Sequence, residues 1–145
     1  MKKFIIYTDG ASKGNPGPAS IGVVICDEKG NVLKECSKEI GTTTNNEAEY
    51  QAVIFGLKKI KALFGKKVAK LSEIEIRSDS ELLVSQLNKK YKILDSKIQK
   101  LFIQLWNLIL DFKDVKFILI PRQENKLADK LTRAYQQTNH QSPLL

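Results

Sequence analysis

Three strand-like runs open the chain, at residues 3–9, 20–27 and 32–40, and the links between them are too short for anything but a reversal of direction. In the first, Phe4-Ile5-Ile6-Tyr7-Thr8 leads straight into Asp9, and Gly10, Gly14, Pro16, Gly17 and Pro18 follow at once. That pattern predicts a rigid strand that ends on an acid beside a backbone-rich turn. Lys29-Gly30-Asn31 is a hairpin signal between the second and third runs. An antiparallel meander results, and the remaining elements must extend it.

The period then changes. Val53, Leu57, Ile60 and Phe64 recur at helical spacing, with Thr44 or Asn45 able to cap the start and Gly65 able to stop the helix, which is expected over residues 45–64. A fourth strand is expected to end at Ser78, with Ile74 and Ile76 on one face and Glu75 and Arg77 on the other. A helix from about Ser80 to Lys90 follows. The next, over 96–112, carries the stripe Ile98, Leu101, Leu105, Leu108 and Phe112, widened by Phe102, Trp106 and Ile109. Residues 115–120 make a fifth strand, Pro121 breaks it, and a last helix runs from Glu124 to about Gln136. A meander followed by strand and helix alternation predicts an α/β fold: a five-stranded mixed sheet, its later strands parallel to the first through right-handed crossovers, flanked by about four helices. One domain over residues 1–137 and a frayed tail over 138–145 are expected.

The net charge of +8 over 145 residues makes a polyanionic partner worth considering. Lysines gather at 58, 59, 61, 66, 67 and 70 and again at 89, 90, 92, 97 and 100, a footprint that fits a phosphate backbone and equally fits solvated helix faces. No apolar run reaches membrane-spanning length and the first residues lack a signal-peptide core, so a cytoplasmic location is expected. Cys26 and Cys36 lie on neighbouring strands, but a two-residue turn at Lys29-Gly30 sets Cys26 opposite Leu33, and free thiols are expected.

If the first, fourth and fifth strands are parallel neighbours, Asp9 and Asp79 end side by side where strand order reverses, the place where open sheets bind ligands. Glu49 falls one turn before Val53, at the rim of the core, where an acid is costly unless something positive meets it. Asp129 sits in the last helix away from its Leu127 and Leu131 stripe, a position that also suits a solvated acid. Clustered carboxylates suit divalent cations, and two ions roughly 4 Å apart can activate a water and stabilise the leaving oxygen of a phosphodiester. The single histidine, His140, lies in the tail and is expected to be a spectator.

Thr8-Asp9-Gly10-Ala11 with Gly14-Asn15-Pro16-Gly17-Pro18, then Thr43-Thr44-Asn45-Asn46-Glu47-Ala48-Glu49, Ser78-Asp79-Ser80 and Glu124-Asn125-Lys126-Leu127-Ala128-Asp129 together resemble the motifs of type 1 ribonuclease H, in the family's order, across residues 3 to about 136. The resemblance implies hydrolysis of the RNA strand of an RNA/DNA hybrid, with two magnesium or manganese ions held by Asp9, Glu49, Asp79 and Asp129. It also implies that Asp9 bridges both ions, that Glu49 meets a ribose 2′-hydroxyl and that Asp129 helps hold the ion that activates water. Gly10, Ala11, Ser12 and Asn15 would then line the minor groove, Asn15, Asn45 and Asn46 would contact sugars and bases, and Thr44 a DNA phosphate. A monomer is expected.

Three departures stand out. The loop Ile120-Pro121-Arg122-Gln123-Glu124 lacks the histidine that many relatives carry there, and Arg122 is the nearest substitute. Only Lys89-Lys90-Tyr91-Lys92 stands in place of a basic protrusion after the second helix, and Glu81 replaces a glutamine. A non-catalytic hybrid-binding module and the nuclease domain of a reverse transcriptase share the fold; the four acids argue against the first. A transposase-like enzyme would share the acids but neither the paired asparagines nor the Gly-Asn-Pro-Gly-Pro loop.

Overall fold

In the computed structural model, which describes the backbone of residues 2–141 and the side chains of residues 2–133, the expected meander is present. It is formed by β1 (Lys2–Ser12), β2 (Gly17–Asp27) and β3 (Val32–Thr43), each neighbour pair antiparallel. Then come α1 (Asn45–Phe64), α2 (Lys66–Lys70), β4 (Ser72–Ser78), α3 (Glu81–Leu87), α4 (Ser96–Ile109), β5 (Asp114–Leu119), a 3-10 turn (Arg122–Glu124) and α5 (Lys126–Gln141). Strand order is β3-β2-β1-β4-β5, with β4 parallel to β1 and β5 parallel to β4. The expected mixed sheet is therefore observed, and its direction changes at β1.

Alternate residues divide the two layers. Phe4 and Ile6 of β1, Ile21, Val23 and Ile25 of β2 and Ile74 and Ile76 of β4 are buried in one core with Val53, Leu57 and Ile60 of α1 and Leu105 of α4. Ile5, Val24 and Cys26 form a smaller core with Ala128 of α5 on the opposite face. The bounds of α1 match the sequence expectation because both ends are capped. Thr44 accepts the Glu47 N–H at 3.2 Å, and Gly65, at φ 87°, closes the helix with its N–H on Lys61 O at 2.9 Å.

Several expectations are corrected. Asp9 does not end β1, which stays paired with β2 through Ser12↔Ala19. It lies instead just past the last parallel pair, Tyr7↔Arg77. Among the described residues there are five α-helices where about four were expected, the short α2 following at once after Gly65. A bulge in the β2–β3 hairpin sets Cys26 opposite Val32 rather than Leu33, and Cys36 opposite Val23; both thiols are free. Beside that bulge Asp27 closes the turn by accepting from the Lys29 and Asn31 N–H groups, both at 2.9 Å. Trp106 does not widen the α4 stripe, being 51% exposed. The last helix continues to Gln141, past the expected start of the tail; residues 142–145 and the His140 side chain lie outside the described residues.

Candidate active site

Asp9 is 7% exposed and pairs across the sheet with Gly22. Asp79 is the first residue after β4, held by a turn in which the Ser80 N–H donates to Ser78 Oγ at 3.1 Å while Ser80 Oγ accepts from Leu83 N at the start of α3. Glu49 comes from the first turns of α1. Each of these three acids offers an oxygen, and the three oxygens lie within 4.8 Å of one another. A glycine makes this approach possible. A Cβ on Gly10 would fall 2.7 Å from the Glu49 backbone nitrogen, so any side chain there would push α1 off β1.

Such crowding of like charges in a nearly dry place shows in their protonation. Burial raises the Asp9 carboxyl to about 7, with further upward pushes from Asp79 and Asp129, including a hydrogen bond shared with the Asp129 carboxyl; Thr132 opposes them by hydrogen-bonding the ionised form. Burial also holds Glu49 well above the ordinary glutamate value, with Asp9 and Asp79 adding to it and the Gly10 N–H opposing. Glu49 Oε1 is buried and has no hydrogen-bond partner. An orphaned carboxylate oxygen beside two more acids marks a site that lacks positive charge, and three hard oxygen donors fit a hard divalent cation.

Asp129 is placed beside Asp9 but is not one of the three converging ligands. Its carboxylate is ion-paired to Arg133 at 2.8 Å. Of the expected leucine stripe of α5 Leu131 packs on the smaller core, whereas Leu127 is 38% exposed; Ala128 and Thr132 are buried beside it, as is Asn125 just before the helix. Arg122 lies in the exposed 3-10 turn and makes no ion pair among the described residues.

Three of the expected substrate residues, Ser12, Asn15 and Asn45, form a single clip. Ser12 N donates to Asn45 Oδ1 at 2.9 Å, Asn45 N donates to Asn15 Oδ1 at 2.9 Å, and Ser12 Oγ donates to Asn45 Oδ1 at 3.2 Å and to Gly14 O. Gly10 and Ala11 lead β1 into this clip, Thr44 caps α1, and Asn46 reaches Gln86 of α3. The clip joins the end of β1 to the N-terminus of α1 within a few residues of Asp9 and Glu49.

Sequence reasoning gave no role to Asn125, Thr132, Gln86 or Gly22. Asn125 is 1% exposed and its Nδ2 donates to Thr8 O at 2.8 Å, tying the entry of α5 to the residue before Asp9. A buried asparagine one turn before an acid is a readable signal. Gly22 acts through an absence, since a Cβ there would overlap the Ala128 carbonyl oxygen and sit 2.8 Å from Thr132 Oγ1.

A mixed sheet with three carboxylates gathered where its direction changes defines a ribonuclease H-like domain. Residues 7–134 match the family model described as reverse transcriptase-like. The chain is 38% identical to a ribonuclease HI of Halobacterium salinarum over 86% of its own length and 60% of that protein's. It is 33% identical to a ribonuclease H of Syntrophus aciditrophicus, covering 92% of this chain and 80% of that one. Among solved structures, LC11-RNase H1 in complex with an RNA/DNA hybrid superposes with a TM-score of 0.85 at 45% identity, over 90% of this chain and 94% of that one. This chain belongs to the reverse transcriptase-like family, in its ribonuclease H branch.

Proposed function

We propose that this chain hydrolyses the RNA strand of RNA/DNA hybrids, with Asp9, Glu49, Asp79 and Asp129 as the carboxylates that hold two divalent cations. The convergence of Asp9, Glu49 and Asp79 within 4.8 Å, with one buried carboxylate oxygen left unpartnered, carries this reading. Such ions, magnesium in the first place and manganese in the second, would supply an activated water and stabilisation of the leaving oxygen. The protein's part is placement. β1, β4 and α1 fix three acids before any substrate arrives, so little reorganisation is left for the reaction. Asp129 stands beside Asp9 on α5 and would complete the second ion's ligands on release from Arg133. Arg122, exposed on the turn that precedes α5, would draw product phosphate away from the ions.

Recognition of a hybrid follows from the clip. Because backbone N–H groups occupy the side-chain oxygens of Asn15 and Asn45, their Nδ2 donors are left to meet groove acceptors, and Gly10, Ala11 and Ser12 bring backbone to the same surface. Thr44 would meet a phosphate of the DNA strand. The protein would act as a monomer in the cytoplasm; among the described residues no helix is long and apolar enough to cross a membrane.

The test is cleavage of an RNA/DNA hybrid, duplex DNA and duplex RNA, each with magnesium and with a chelator. Only the hybrid with magnesium is expected to be cut. Equal cleavage of duplex DNA, or cleavage in the chelator, overturns the proposal.

A further inference from the structure

Asn46 differs from its neighbours in the clip. Asn15 and Asn45 have their oxygens taken and their Nδ2 groups free, whereas Asn46 Nδ2 donates to Gln86 Oε1 at 3.4 Å and its Oδ1 is buried without a partner. That polarity is imposed from the far side of Gln86. Gln86 is 8% exposed, and its Nε2 donates at 3.4 Å to the backbone carbonyl of Lys92, in the connection between α3 and α4. A carbonyl has no hydrogen to give, so reversing the Gln86 amide would set two oxygens against each other. Oε1 is therefore held towards α1, where it also accepts from the Tyr50 hydroxyl at 3.0 Å. Tyr50 is fully buried and its hydroxyl is pushed up to about 12 by that burial, so it stays a donor. Facing an acceptor, Asn46 must present Nδ2 to Gln86, which leaves Oδ1 for something else.

We infer that Gln86 is a positioning residue that fixes Asn46 as an acceptor, so that this point of the site selects a hydrogen-bond donor on the substrate. The inference rests on the hybrid reading above. In the minor groove of a hybrid the donors are the 2-amino group of guanine and the ribose 2′-hydroxyl, while the other base-edge groups are acceptors. Asn15 and Asn45 offer donors, whereas Asn46 keeps a buried, unpaired acceptor, which gains most from a partner that arrives only with the right substrate. The relay ends in the segment Lys89-Lys90-Tyr91-Lys92, so the same amide couples this basic connection to the residue that reads the groove.

Short hybrids that carry guanosine, inosine in its place, or a single 2′-deoxy sugar in the RNA strand separate the two donor sources. The unsubstituted protein should favour the donor-bearing substrate by roughly five- to tenfold in KM at one position, as one hydrogen bond provides. Gln86→Met, of similar length but unable to hydrogen-bond, should bring that ratio close to one with kcat nearly unchanged. Asn46→Ala, at a half-buried position, removes the acceptor, leaves the Gln86 bonds to Tyr50 and Lys92 in place and should abolish the ratio as well. The inference is overturned if the unsubstituted protein shows no donor preference, or if Gln86→Met or Asn46→Ala retains it. Failure of the unsubstituted protein to cut any hybrid overturns the functional reading itself, and the relay as a substrate device goes with it.

Discussion

Asp9→Asn should inactivate the protein and at the same time make its metal-free form more stable at neutral and alkaline pH. The Asp9 carboxyl titrates near 7 in the folded chain against 3.8 for an ordinary aspartate, through burial and the neighbouring Asp79 and Asp129. The folded state therefore binds more protons than the unfolded state between those values, and stability falls as pH rises through that window. Its contribution is fully present below about pH 4 and lost above about pH 7, and Glu49, raised in the same direction, deepens the loss. Three units correspond to about 4 kcal/mol, and solvent relaxation in the cleft brings the expected gain from Asp9→Asn at pH 8 to roughly 2–4 kcal/mol. For a chain of this size that is roughly 6–15 °C in Tm. Thermal melts in a chelator at pH 4, 6 and 8 would show the two proteins converging at pH 4 and separating at pH 8. Magnesium should raise the Tm of the unsubstituted protein at pH 8 and narrow the gap. A variant less stable than its parent at pH 8 in the chelator, or a gap independent of pH, refutes the reasoning.

Gly22→Ala adds a methyl group that overlaps the Ala128 carbonyl oxygen and comes within 3.0 Å of Leu131 Cβ, so α5 must shift outward. Urea unfolding should register a loss of roughly 1–3 kcal/mol, and hybrid cleavage should fall as Asp129 moves away from Asp9; full stability with full activity would show that the strand does not set the helix's approach. Arg122→Ala should lower multiple-turnover kcat while hybrid binding stays within about twofold, since the residue is exposed and carries no packing. An unchanged turnover rate removes Arg122 from the product-release step.

The bounds of α1 and the antiparallel meander could be read in the sequence because each rests on local chemistry: a threonine cap, a positive-φ glycine, and links too short to cross a sheet. The end of β1 could not. Asp9 precedes Gly10, and a glycine after an acid reads as a turn. Here Gly10 is instead a strand residue made small by the approach of Ala48 and Glu49, and β2 continues to pair beyond it. The packing face of α5 was hidden for a related reason. Hydrophobicity points to Leu127 and Leu131, of which Leu131 packs on the sheet; a helix that comes close enough to touch the backbone at Gly22 also needs small side chains there, and Ala128 and Thr132 supply them. In this arrangement Asp129, next to Ala128, stands beside Asp9 instead of in open solvent. Of the four acids, Asp9, Glu49 and Asp79 are brought together directly, and the fourth is turned towards Arg133, a pairing partner four residues along its own helix that the motif alone does not reveal.

The two glycines explain why the acids stay crowded. Gly10 and Gly22 occupy adjacent registers on neighbouring strands, yet the side chains they lack would point to opposite faces of the sheet, towards α1 and towards α5. Each removes the one group that would hold its helix away. Asp9 lies between these two close approaches, with Glu49 reaching it from one helix and Asp129 from the other. Both helices are pinned by contacts that take no part in the chemistry: Tyr50, Val53 and Leu57 lie in the main core, and Ser20 Oγ donates to Thr132 O at 2.9 Å beneath α5. Without cations the carboxylates repel, but separation would require the helices to leave the sheet and expose those residues. The folded chain answers by taking up a proton at Asp9. The rigidity that keeps the acids crowded thus adds to burial in raising the Asp9 carboxyl, and the pH-dependent instability of the metal-free protein measures how firmly that geometry is held.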